Sequence, residues 1–239
     1  MWLGAVSVLV LAAVHLAVPL LRRLDAVPRS RWLSFAGGVA VAYVFVHLLP
    51  DLAAAGDALA EGAPAGWLER HAYLLALGGF VAFYALEAAA LQSRSRAGGP
   101  RRDAEAGGTV LALHVGSFGA YNALVGYLLA GWDGERGSEL LFAVAVAVHL
   151  VVVDHGLRDH HRRRYDAVVR WVLAGAVAAG FAAGWALGVR DGVSHLALAL
   201  LAGAVILNTM TQELPQERRS RLGPFVAGAV LYAAVLLAV

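Results

Sequence analysis

The segment from Gly37 to Leu52, GGVAVAYVFVHLLPDL, decides how the chain is read. It is an apolar run that opens on small residues, carries one histidine deep inside, and closes on Pro50 and Asp51. A second copy lies far downstream. Placing Gly38 on Gly203 and holding one offset lays AGAVILNTMTQELPQE over it, with Pro215 on Pro50, Gln212 on His47 and Gln216 on Asp51. The segments that follow match again at a smaller offset, Gly79-Phe80-Val81-Ala82 against Pro224-Phe225-Val226-Ala227.

The rest of the chain says where such a repeat belongs. With 239 residues, 60% hydrophobic and 15% charged, it carries more apolar surface than one soluble core can bury, which places it in a bilayer. There is no cysteine, so a bound metal would rely on oxygen and imidazole. The nineteen basic residues are all arginine and are spread over short loops, not gathered on one face, which argues against nucleic acid as a partner.

A spanning helix needs about 20 apolar residues. Eight stretches qualify: Trp2 to Leu21, Leu33 to Leu52, His71 to Leu91, Thr109 to Leu129, Leu140 to Leu157, Trp171 to Val189, Val193 to Leu214 and Leu222 to Val239. The first has no basic residue before it and no small-residue cleavage site, and reads as a retained helix holding His15 and Pro19. The loops after the first, third, fifth and seventh stretches hold sixteen of the nineteen arginines. Basic loops stay cytoplasmic, so both termini are expected outside, in a multi-pass protein of the cell membrane.

In that topology the second helix and its copy, the seventh, run in opposite senses. Inverted repeats flanking a central pair are the arrangement of secondary transporters that alternate access around a midplane site. The expected architecture is therefore all-α: a single membrane domain over 1–239, with repeats at 1–91 and 171–239 around a central pair at 109–157. The long polar connections, Ala53 to Arg70 and Gln92 to Gly108, read as loop and flexible linker, not as soluble domains.

Ionisable groups inside hydrocarbon are costly and usually face a bundle interior. On the second helix Tyr43, His47 and Asp51 recur every four residues and share a face suited to an ion path. Glu87 lies late in the third helix. The fourth carries His114, Ser117 and Tyr121 as a polar stripe with Asn122 nearby, and Gly116, Gly119 and Gly126 that would admit a close helix. The fifth carries His149, Asp154 and His155. Imidazole and carboxylate suit zinc or a related divalent ion, but His149 and Asp154 lie about 140° apart on a regular helix. His160 and His161, in RDHHRRRYD, read as surface residues. The seventh helix ends in Asn208, Thr209, Thr211, Gln212 and Glu213 before Pro215, a run that could coordinate a cation at the inner mouth.

These residues resemble the ZIP family of divalent metal transporters, over essentially the whole chain. Gly38 to Asp51 is similar to that family's glycine start and HLLP-acid end, Gly79 to Glu87 to its third helix, and Ala202 to Pro215 to its seventh. The resemblance implies eight helices in a 3+2+3 arrangement, a metal carried by the central pair, no enzymatic activity, no required cofactor, and a homodimer as a plausible state. The transport motifs depart from the family. Where its fourth helix commonly reads HNxxDG, this chain has YNALVG from Tyr121 to Gly126. Where its fifth reads HExPHExGD, this chain has HLVVVDHGL from His149 to Leu157.

The expected ligands are accordingly Asn122, His149 and Asp154, helped by His47, Asp51, Gln212 or Glu213. Tyr121, His114, Ser117, His155, Glu87 and Asn208 are expected along the pathway. Zinc or a related divalent ion is the expected substrate, and uptake is expected to weaken as pH falls through the histidine range, because ligands shed protons to bind metal. The competing expectation is a relative that no longer transports metal and acts as a sensor, a partner or a carrier of another solute, favoured by Val125, Leu150 and Val153. An intramembrane hydrolase built on His, Asp and a zinc-bound water is a third, less favoured.

Overall fold

A computed structural model describes residues 2–20, 29–61, 69–96, 108–132, 136–189, 191–210 and 221–238. Among these the chain is helical throughout, with eight helices: α1 (Trp2–Ala17), α2 (29–61), α3 (Glu69–Arg96), α4 (Gly108–Ala130), α5 (Arg136–Arg164), α6 (Arg170–Leu187), α7 (Asp191–Asn208) and α8 (Leu222–Leu237). A π-helical segment, Tyr165–Val169, joins α5 to α6. Four stretches, Ser34–Ala58, His71–Ala89, Glu139–Arg158 and Tyr165–Leu187, are long and apolar enough to cross a bilayer. Trp2–Ala17, Val193–Asn208 and Leu222–Leu237 are apolar but shorter. Large apolar side chains such as Leu9, Phe45, Leu77, Val81, Trp171, Val230 and Leu231 point outward, a surface suited to lipid and not to water.

Where helices are apolar on several faces, close fit decides which faces meet. Here the fit comes from glycine. A Cβ on Gly38 in α2 would strike the backbone of Phe225 and Ala229 in α8, and one on Gly228 would strike Phe35 in turn. The same reciprocal contact joins α3 to α7, Gly79 against Leu200 and Gly203 against Ala76 and Phe80. It also joins α4 to α6, Gly126 against Val177 and Gly180 against Ala123. Farther along the last pair Gly184 meets Ala130 and Gly131 meets Val189, so α4 and α6 run parallel. In the α2 and α8 pair the Arg221 amide donates to Ser34 Oγ at 3.2 Å, again a parallel course.

The internal repeat is visible in these contacts. Gly38 and Gly203 each rest on the carbonyl of one residue and the amide nitrogen of the residue four later. On the same two helices Phe35, met by Gly228, and Leu200, met by Gly79, are related by that offset too. The helix also loosens at equivalent points: π geometry begins at Val44 in α2 and, at that offset, at Thr209 in α7. The second match shifts by one turn. Gly79 plays the part that Gly228 plays, not Pro224, because backbone contact selects the glycine over the more conspicuous Phe-Val-Ala string.

Within the bundle α1 packs on α5 and α6, α4 on α6, and the second half of α2 links α3 and α7. The helix α5 is more deeply buried than the other long apolar spans, along Phe142, Val146, Leu150, Val153 and Leu157, while Leu140 and Val144 near its start are exposed. Of the three glycines expected to admit a neighbour on α4, only Gly126 does so; nothing described stands within 4 Å of a Cβ on Gly116 or Gly119. The helices α4 and α6 touch along Ala123 to Gly131, and Gly116 and Gly119 precede that contact.

Gly126→Val and Gly203→Val are expected to destabilise the protein by about 1–3 kcal/mol through overpacking. Gly78→Ala, with open space around it, is expected to be neutral or to gain up to ~1 kcal/mol from helix propensity. Unfolding of the detergent-solubilised protein measures both.

Candidate functional site

The buried face of α1 runs through Leu3, Ser7, Val8, Leu11 and His15, a helical spacing that carries His15 into the bundle with no exposure at all. There it meets two of the expected residues. The His15 Nδ1 lies 2.5 Å from Asp154 Oδ2 of α5, and its Nε2 lies 2.8 Å from Asn122 Oδ1 of α4. Asn122 and Asp154 are each only 1% exposed, so no solvent shares these groups.

Hydrogen-bond accounting assigns the roles. The Asn122 Nδ2 donates to the Phe118 carbonyl at 2.9 Å, which turns Oδ1 toward the imidazole. His15 Nε2 must therefore carry a hydrogen and donate it. Tyr165, in the π segment, donates its hydroxyl to the same Asp154 Oδ2 at 2.5 Å and stands 3.4 Å from the His15 carbonyl oxygen. The other carboxylate oxygen, Asp154 Oδ1, is buried with no hydrogen-bond partner among the described residues. An unmatched carboxylate oxygen in this setting is costly.

The π segment is held by an ion pair. Arg158, one turn beyond Asp154 on α5, grips Asp166 with two parallel bonds, Nε to Oδ1 at 2.6 Å and Nη2 to Oδ2 at 2.9 Å. This bidentate clasp fixes the residue next to Tyr165 and so aims the phenol back at Asp154. Apolar side chains close around it, among them Val18, Phe118, Val153, Leu157 and Leu173.

The remaining expected residues lie elsewhere. His149 is buried, but its ring faces Tyr121 at 6.1 Å between centroids, and Tyr121 in turn faces Phe83. Its five-residue separation from Asp154 on a continuous α-helix keeps the two on different sides of α5. His114 is buried beside Phe118, and the Ser117 hydroxyl turns back to the Leu113 and His114 carbonyls of its own helix, so α4 presents no single polar stripe. His155 and Glu87 are half-buried on α5 and α3.

At the π turn of α2, His47 Nε2 lies 3.5 Å from an Asp51 carboxylate oxygen, and the His47 ring packs on Tyr43, forming a second cluster of its own. Asn208 is buried at the end of α7 with its Nδ2 unpartnered. Gln212 and Glu213 lie outside the described residues. Among the described residues no three His, Asp or Glu side chains converge as a metal cage. His15 and Tyr165 are the two members of the central network to which sequence reasoning gives no role. An imidazole in the apolar first helix was the available signal for His15; Tyr165 sits in an arginine-rich stretch that reads as loop.

Comparisons with family models, with curated proteins and with solved structures match nothing.

His15→Leu leaves a buried carboxylate held by one phenol and is expected to cost about 3–5 kcal/mol, as when one partner of a buried pair is removed. His15→Leu with Asp154→Leu is expected to recover most of that loss. A double-mutant cycle by denaturant unfolding in detergent measures the coupling.

Proposed function

We propose that the chain is an integral membrane transporter of ZIP-like arrangement, moving a divalent metal cation by alternating access. The observation that carries this reading is Asp154: a carboxylate buried between α1, α4 and α5 with one oxygen unpartnered. A negative group is seldom kept in such a place unless a cation or proton visits it. The paired helices lend support. The α2 and α8 contact and the α3 and α7 contact repeat one another glycine for glycine, as two related halves would. The resemblance of Gly38 to Asp51, Gly79 to Glu87 and Ala202 to Pro215 to the ZIP helices supports the same reading.

In this scheme Asp154 supplies the charge, and Asn122 supplies a neutral oxygen on the facing helix. The His47 and Asp51 pair at the π turn of α2 offers a staging point toward one end, and Asn208 with Thr209 offers another toward the opposite end. The two π turns sit at equivalent places in the two halves and would let each end loosen separately.

A second reading is favoured by Val125, Leu150 and Val153, all at most 2% exposed, which fill the space where a richer ligand set would stand. In that reading the chain has kept the scaffold and lost transport, serving as a sensor or partner in the membrane.

Purified protein in vesicles loaded with a zinc indicator separates the two. Metal influx that Asp154→Ala reduces to the level of empty vesicles supports transport. No influx, together with no metal retained after mild purification, supports the silent relative.

A further inference from the structure

We propose that His15, on the first helix, is a ligand of the transported cation together with Asp154, and that Asn122 and Tyr165 hold these two ligands in place. This rests on the transport reading above and deepens it. The two ligands then come from α1 and α5, and their supports from α4 and the π segment, and not from the central pair alone.

Three features place the ion there. First, His15 is the imidazole in direct contact with Asp154, at 2.5 Å from Nδ1 to Oδ2, whereas the His149 ring is turned to Tyr121. Second, Asp154 Oδ1 is a buried acceptor with no donor among the described residues, so it is available to a cation that enters beside the imidazole. Third, the imidazole is already aimed. Asn122 holds Nε2, itself oriented by the Phe118 carbonyl, and this leaves Nδ1 as the nitrogen directed at the carboxylate. A ligating histidine whose other ring nitrogen is pinned by an oxygen is the usual arrangement in metal sites. The hydrogen between Nδ1 and Oδ2 occupies the position a cation takes, and it leaves to solvent when the ion binds.

The chemistry selects a class of cargo. One imidazole nitrogen beside carboxylate oxygens, in a chain without cysteine, suits a borderline divalent ion of the series from manganese to zinc. It disfavours cuprous ion, which wants thiolate or thioether, and gains nothing from the imidazole for calcium or magnesium. Tyr165 and Arg158 act as positioning residues: the Arg158 clasp on Asp166 sets the phenol, and the phenol sets the carboxylate.

The test uses full-length protein carrying His160→Ala and His161→Ala, to remove a histidine pair that could hold metal by itself, loaded with equimolar zinc. X-ray absorption at the zinc edge counts imidazole ligands directly. The expected result is a shell of nitrogen and oxygen with about one imidazole per zinc, lost in His15→Gln and kept in His149→Gln and Tyr165→Phe. Should His15→Gln fail to elute as a folded species, Asn122→Asp supplies a second measurement: a carboxylate behind the imidazole raises the basicity of His15 and is expected to tighten zinc binding roughly tenfold, on the order of 1.4 kcal/mol. Zinc that crosses the membrane but shows no imidazole, or an imidazole that survives His15→Gln, overturns the assignment and leaves the transport reading standing. Unchanged affinity in Asn122→Asp also overturns it. Protein that neither holds nor moves zinc overturns both.

Discussion

Backbone meeting backbone at glycine is the constraint on which the bundle rests. At each of three helix pairs a glycine in either partner removes the side chain that would hold the axes apart, and each rests on a carbonyl of the other. Close approach lengthens the surface over which dispersion acts. The pairs α2 with α8 and α3 with α7 share this contact in duplicate form, and the second half of α2 ties them together. The network residues come instead from α1, α4, α5 and the π segment before α6.

Polar groups in that set obey a different rule. A histidine, an aspartate, an asparagine and a tyrosine, each at most 1% exposed, are sustainable in an apolar interior only because they answer one another. The network is nearly closed: the amide is fixed by its own helix, the imidazole by the amide, the phenol by the clasp of Arg158 on Asp166. One carboxylate oxygen breaks the closure. A purely structural network tends to leave no such remainder.

The departures from the ZIP-like motifs take on a physical sense in this setting. Without the proline of the family's fifth helix, α5 continues unbroken through Val152, and His149 cannot swing toward Asp154. Leu150, Val153 and Val125 are apolar and buried where that motif carries ligands. The imidazole that reaches Asp154 is His15, from the first helix.

The sequence by itself determined the helical class, the eight segments and the duplicated glycine in the second and seventh helices, because hydrophobic length and small-residue spacing are local properties written along one strand of chain. It also pointed to Asp154 and Asn122, since a polar group in an apolar run announces itself. It could not say that Gly79 answers to Gly228, that Gly116 and Gly119 face open space, or that His149 turns to Tyr121. Nor could it say that His15 and Tyr165 close on Asp154. Those facts depend on which helix lies against which and how far each is rotated about its axis. Residues 139 positions apart, as His15 and Asp154 are, share no local signal; only the packed bundle brings their atoms to bonding distance.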